Sequence, residues 1–402
     1  MLLHRDAAAG TEGTGKAAGM TEKIYYEDVR KTEFTATVLS CEKDEKTGRF
    51  RIILDRTAFF PEQGGQSCDH GTLDGQEVLY VGITDGTIYH ELSDPLEPGK
   101  TVSGETDWEQ RFDFMQQHTG EHMLSGLVHR TFGFDNVGFH LSERETTVDF
   151  NGVISAGDMK KIEEEVNRRI WSNLPVKVYF PTADELKTLE YRSKLDLEKD
   201  VRIVEIPDTD VCACCAPHVE RTGEIGILKV VNMQNYKGGV RLNIVCGNRA
   251  LKDFSAKQES TEKISAMLSA KQPEIAEAVR RLKEKEKEDS VRIAGLEARM
   301  LDLQVSAVPE EEKDVVLFTG EIDMSAARNA VNSLLKQHAG YCGIFSGSEE
   351  KGYRFVLGYR EESMPDFLKK LREHGFKCGG SAGFLQGSVS ETEERIRNIL
   401  KN

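Results

Sequence analysis

His118 and His122, in the stretch "QHTGEHML" (117–124), stand four residues apart. On a helix this spacing puts the two side chains about 40° apart on one face, where both imidazoles can reach a single metal ion. Glu121 completes the pattern HxxEH, the signature of inverted zinc proteases, whose glutamate handles the protons of a zinc-bound water. A second pair repeats the spacing: Cys214 and His218 within "CACCAPHVERTGEIG" (212–226). Three imidazoles and a thiolate make a tetrahedral set suited to zinc, which takes nitrogen and sulfur together. Spacing selects Cys214 as the sulfur ligand, with Cys212 and Cys215 as neighbouring alternatives. Three other readings compete: a reduced cysteine cluster in a core, a structural zinc closed by four protein ligands, and a protease. The protease would take its third ligand from Glu163, Glu164 or Glu165 on the following helix.

The elements that must position these residues follow from periodicity. Short β-branched runs between Ile24 and Thr106 ("EFTATVLSCE", "RFRIILDRT", "TIYHEL", "KTVSGETD"), broken by Gly, Asp and Pro turns, predict an antiparallel β-barrel-like domain. Phe114, His118, Met123, Leu124, Leu127 and Val128 predict a helix over 107–131 that carries the histidine pair, and a second helix follows over 158–173. Strand-like runs "VKVYF", "VRIVEI", "GILKVV" and "VRLNIVCG" complete an α+β core. Residues 250–303, rich in Ala, Glu, Lys and Leu, read as two long helices in a hairpin or coiled coil, with Pro273 in the first turn of the second. Beyond Pro309, alternating strands and helices predict a small α/β module with a Gly-rich loop, "KCGGSAGFLQG", before its last helix. The expected organisation is a disordered leader (1–19), a β-rich domain (20–106), a zinc-binding core (107–249), a helical hairpin (250–305) and a C-terminal module (306–402).

Composition sets the limits. A chain of 402 residues suggests about two to four domains. No window approaches the roughly 18 apolar residues of a membrane span. Eight cysteines over this length, three of them crowded together, do not make the disulfide framework of a small secreted domain, so a reducing cytoplasm is expected. A net charge of -15 excludes a protein that coats nucleic acid by bulk attraction. Local basic stretches remain: 219–252 carries net +4, including Lys237 and Arg241, and 351–377 carries net +3, including Lys377.

Four stretches, "LDRTAFFPEQGGQ" (54–66), "QHTGEHML", "CCAPHVERTGEIG" (214–226) and "KGGVRLNIVCG" (237–247), resemble the AlaX family of freestanding alanyl-tRNA editing proteins. These proteins are similar to the editing domain of alanyl-tRNA synthetase. The resemblance implies zinc held by His118, His122, Cys214 and His218, and a pocket for the 3′-aminoacyl adenosine lined by Thr57, Gly64, Gly65 and Gln66. It implies hydrolysis of serine, and often glycine, wrongly attached to tRNA for alanine. The attacking group would be a zinc-bound water, with Glu121 a candidate proton carrier and Thr57 the reader of the serine hydroxyl. The family's CGGTH is here Cys214-Cys215-Ala216-Pro217-His218, which adds a thiol and a proline to the ligand turn.

The helical stretch and C-terminal module resemble the long form of the family, which carries a domain similar to the C-terminal domain of alanyl-tRNA synthetase. The expected tRNA contacts are Lys237, Arg241, Lys377, Gly379 and Gly380, and the helices or C-terminal module offer a homodimer interface. The competing class is a tRNA-binding protein with a structural zinc and no activity.

Overall fold

The computed structural model describes residues 21–193, 201–359, 364–381 and 383–401, so the expected leader lies outside the described residues. The chain divides between Ser260 and Thr261 into two compact units. The first opens with a seven-stranded antiparallel sheet: β1 (Glu33–Lys43), β2 (Phe50–Leu54), β3 (Gly71–Leu73), β4 (Gln76–Glu77), β5 (Tyr80–Thr84), β6 (Thr87–Leu92) and β7 (Thr101–Thr106). The order is β4-β3-β7-β1-β2-β6-β5. Only Val78 and Leu79 separate β4 from β5, so the chain joins the two ends of this order and the sheet curls. Alternation along β1 turns Phe34, Ala36 and Val38 inward, where they meet Ile52, Leu54, Phe59, Phe60, Leu73 and Ile88.

Helix α1 (Trp108–Phe132) follows. Asp107 caps it by accepting from the amides of Glu109 and Gln110, and Gly133, in the left-handed region at φ 69°, ends it. Every residue from Phe114 to Val128 is buried, so the polar side chains of this stretch must find partners inside the protein. The elements that surround α1 are α2 (Ala156–Trp171) and two antiparallel sheets. One contains β8 (Asn136–Leu141), β9 (Thr146–Phe150), β13 (Leu228–Tyr236) and β14 (Gly239–Cys246), in the order β8-β9-β14-β13. The other is β10 (Lys177–Tyr179), β11 (Ile203–Ile206) and β12 (Asp210–Ala213), in chain order. Strands β8 and β9 were not anticipated from the sequence; β8 is short and carries a bulge at Asn136/Gly138 that breaks its period.

One fully buried ion pair ties the β-sheet domain to α1. The Arg111 guanidinium straddles Asp69, with Nε 3.1 and 3.0 Å from its two oxygens, and also donates to the carbonyls of Val29 and Ala58. Asp69 further accepts from the Phe60 amide at 2.6 Å. The loop from Thr57 to Asp69 is thereby fastened two helical turns before His118.

Helix α3 (Gly247–Leu268) crosses the division between the units. In the second unit Pro273 lies in a 3-10 turn that opens α4 (Ile275–Ser306), as its position predicts. Of the apolar residues expected to form the coiled-coil seam, Ile264, Met267, Val279, Leu282, Ile293, Leu296, Met300 and Leu303 are exposed; Leu301 and Val305, outside that seam, pack into the core with α5 (Met324–Gln337). The module's sheet contains β15 (Val315–Thr319), β16 (Cys342–Ser348), β17 (Gly352–Gly358), β18 (Lys377–Ser381) and β19 (Phe384–Val389), in the order β15-β16-β17-β19-β18. Helices α6 (Met364–Glu373) and α7 (Glu393–Lys401) complete it. The Gly-rich segment is not a loop before a helix but the hairpin β18–β19. A Cβ on Gly380 would stand 2.0 Å from the Phe384 carbonyl oxygen and one on Gly387 2.1 Å from that of Lys377, so these glycines admit a neighbouring strand.

Removing the Arg111 charge would leave Asp69 buried and unpaired. Arg111→Met should cost the first unit about 3–5 kcal/mol in denaturant unfolding, and the Arg111→Met, Asp69→Leu double variant should regain much of that loss. A single variant within 1 kcal/mol of wild type, as judged against the roughly 0.5 kcal/mol noise of ordinary surface changes, would remove the clamp from the account.

Candidate metal centre

α1 presents His118 and His122 one turn apart, and the turn after β12 brings Cys214 and His218 against them. The ligating atoms of these four residues lie within 4.8 Å of one another, and the group could hold a metal ion. Each histidine is anchored through Nδ1: His118 to the Gln66 side-chain oxygen at 2.7 Å, His122 to Asp210 at 2.9 Å and His218 to the Thr119 hydroxyl at 3.1 Å. The Thr119 hydroxyl donates to the Met115 carbonyl, so it is free to accept from His218. With Nδ1 donating in all three rings, the Nε2 atoms are the ones left to face Cys214. The Cys214 sulfur stands 3.5 Å from Nε2 of His118 and 3.3 Å from that of His218. Ligand bonds of 2.0–2.3 Å in a tetrahedron give a nitrogen–sulfur edge of about 3.5 Å, so the donor set fits such an ion.

The three crowded cysteines differ. Burial opposes ionisation of Cys214, but the neighbouring His118 and His218 rings and hydrogen bonds from His118 and His122 hold its thiol well below the ordinary range. Burial pushes Cys212 up to about 11 and Cys215 up to about 12, the latter also through the charge on Cys214. The thiolate therefore belongs to Cys214. Burial lowers His218 to about 3, which keeps it neutral. Burial acts the same way on His122, but Cys212 and the Asp210 hydrogen bond outweigh it and raise this ring well above the usual histidine value. Asp210 is itself gripped by Arg192 through two bonds of 2.7 and 2.8 Å. Arg202 holds the ligand turn by donating to the carbonyls of Cys214 and Ala216, both at 2.8 Å.

Beside the centre lies a cavity of about 1320 Å³, whose wall includes His118, Glu121, His122, Gly64, Cys214 and Arg202. Of the four residues expected to line a substrate pocket, Gly64 is in that wall. Gln66 instead serves His118. Gly65, at φ 87°, packs so closely on β8 that a Cβ would stand 2.4 Å from the Phe139 carbonyl oxygen. Thr57 is fully buried, its hydroxyl 2.9 Å from Nε2 of His90. Burial lowers His90 to about 4, and its Nδ1 donates to the Ile52 carbonyl, so Nε2 accepts from Thr57.

Glu121 lines the cavity and accepts from Asn136 at 2.6 Å and from the Ser125 hydroxyl. Two of the three acids proposed for a protease are engaged elsewhere: Glu163 holds Lys229 and the Val230 amide, and Glu165 holds Arg168 and Arg169, while Glu164 is exposed. Lys237 and Arg241 lie at and beside the β13–β14 turn, both over the Tyr236 ring, and Arg241 is paired with Asp149. Lys377, Gly379 and Gly380 belong to β18 in the other unit. Asp210, Arg192 and Thr119 were missed by sequence reasoning; a carboxylate four residues before the cysteine ligand was the one available signal.

Residues 201–269 match the family model "Threonyl and Alanyl tRNA synthetase second additional domain", and residues 6–110 match that of class II (A) tRNA synthetases. The alanyl-tRNA editing protein AlaX-L of Pyrococcus horikoshii is 26% identical over 94% of this chain and 97% of its own length. These matches support the AlaX family. An alanyl-tRNA editing protein of Danio rerio is 32% identical over 62% of this chain and 64% of that protein. An alanine–tRNA ligase of Methanopyrus kandleri is 29% identical over 95% of the chain, which spans 44% of that ligase. The two family matches cover the Thr57–Gln66 loop and the Cys214–His218 turn, and the histidine pair of α1 lies between them. Among the described residues, no helix is long and apolar enough to cross a membrane.

The anchoring carboxylate gives a test. Asp210→Asn should weaken metal binding by about 10–100-fold in chelator competition. Cys214→Ser should lose the ion at neutral pH, whereas Cys212→Ser and Cys215→Ser should retain it. Affinity should fall as pH drops, because protons then compete for the thiolate and imidazoles.

Proposed function

We propose that the chain is a free-standing hydrolase that clears serine, and also glycine, from mischarged tRNA for alanine by cleaving the aminoacyl ester. The observation that carries this reading is the convergence of three imidazoles and one cysteine sulfur beside a cavity of about 1320 Å³, with His118, His122 and Cys214 in its wall. The printed names of the relatives, alanyl-tRNA editing proteins, support it. His118, His122, Cys214 and His218 would hold zinc, which when bound polarises the ester carbonyl. Glu121, fixed by Ser125 and Asn136 in the same wall, takes the proton of the attacking water. Gly64 has no side chain to keep an ester from the loop backbone.

Thr57 lies fully buried behind the cavity wall, so its role in the choice of amino acid requires the substrate to open a path to it. Its hydroxyl donates to His90 and accepts from the Phe59 amide, so towards a substrate it can only accept. A serine hydroxyl satisfies that demand and an alanine methyl does not. Lys237, Arg241, Lys377, Gly379 and Gly380 are the proposed tRNA contacts, and the exposed apolar residues of α4 suit self-association into a homodimer. A cytoplasmic location follows from this substrate.

Four protein donors so close together also suit a closed, purely structural zinc site in a tRNA-binding protein without activity. Deacylation separates the two. His122→Ala should slow serine release from preformed seryl-tRNA for alanine by at least about 100-fold, and Glu121→Gln by about 10²–10⁴-fold. Seryl-tRNA for alanine should be cleared in preference to alanyl-tRNA for alanine and seryl-tRNA for serine. Equal rates on all three would remove the editing assignment, and an unchanged rate in a folded His122→Ala variant would favour the structural reading.

A further inference from the structure

Phe180 is 55% exposed although it is one of the larger apolar side chains of the first unit. Single exposed apolar residues are ordinary on protein surfaces. This one differs in being held out from both sides and in lining the metal-centre cavity. Tyr179, just before it, is paired with Ile203 in β11, and Thr182, two residues after it, starts the short helix Ala183–Thr188 through a full capping box with Glu185. Pro181 between them fixes the chain further. The Tyr26 and Phe180 rings meet at a steep angle, centroids 5.9 Å apart at 64°, and Tyr26 lines the same cavity. The Tyr26 ring is itself occupied by the Arg202 guanidinium at 4.8 Å, the same arginine that holds the Cys214 turn. Among the described residues no other ring stands against Phe180, and at this exposure the side chain leaves ring surface turned to the cavity.

The cavity, at about 1320 Å³, exceeds the roughly 300–1,000 Å³ that suffices for a small-molecule ligand. A seryl ester at the metal donors leaves most of it unfilled. An aminoacyl ester of tRNA is attached to the terminal nucleoside, an adenosine, so a purine must enter with it. We propose that Phe180, braced by Tyr26, is the platform on which the 3′-terminal adenine stacks, with the ester directed towards His118 and His122. Stacking on an aromatic face tolerates any base, so the platform contributes affinity and position, and Thr57 and the tRNA contacts contribute choice. Arg202 links the two ends of the site, since one side chain contacts both the platform's brace and the ligand turn.

This inference rests on the deacylase reading, and two measurements keep the two apart. In steady-state deacylation of seryl-tRNA for alanine, Phe180→Ala should raise KM by about tenfold, with Phe180→Tyr restoring it and the metal content unaltered. In a binding experiment independent of hydrolysis, Phe180→Trp should show saturable quenching of its fluorescence by adenosine 5′-monophosphate beyond the response of the wild type, whose tryptophans are Trp108 and Trp171. Active enzyme with an unchanged KM in Phe180→Ala would overturn the platform and leave the deacylase standing. Quenching in a chain without deacylase activity would keep the platform and remove the deacylase. Absence of quenching by the nucleotide would overturn the platform whatever the activity.

Discussion

The buried contact between Arg111 and Asp69 is the constraint on which the metal centre depends. A charged pair without solvent is stable only if its remaining hydrogen-bonding capacity is used, and here the Val29 and Ala58 carbonyls and the Phe60 amide use it. Those partners all lie in the β-sheet domain or its loops, while Arg111 lies on α1. The pair thus fixes the register between a loop and a helix that have no backbone pairing with each other. Gln66 sits at the far end of that loop, so its hold on His118 is a consequence of the same register.

The anchors of the three histidines divide the work by chemistry. His118 meets a neutral amide, His218 a neutral hydroxyl and His122 a carboxylate. The carboxylate is the one anchor able to stabilise a positive ring, and Arg192 in turn balances its charge. Orientation is shared among three separate elements, the loop, α1 itself and β12, so no single segment can misplace all the donors at once.

The donors were legible in the sequence because i, i+4 spacing is local: HxxxH and CxxxH read as pairs before any fold is known. So was α1, whose apolar period runs from Phe114 to Val128. The anchors were not legible, since Gln66 and Asp210 lie 52 and 88 residues from the rings they orient. Gln66 looked like a pocket residue because its glycine-rich setting suggested ligand contact, and the structure spends that glycine freedom on packing against β8. The Gly-rich segment of the second unit misled for a related reason. Gly380 and Gly387 answer to a neighbouring carbonyl across a hairpin, which a linear reading cannot distinguish from a turn.

His118 and Cys214 are separated by 96 positions in the chain, and most of β8 to β12 lies between them. An ion shared by these two half-sites would close a long covalent loop, as a disulfide would, and loop-closure entropy grows only slowly with such a length. No comparable site exists in the unfolded chain, so the free energy of holding the ion becomes free energy of folding for everything inside the loop. The same coordination that prepares the cavity for chemistry would act mechanically as a staple, with α2 and the strands β8 to β12 inside its span.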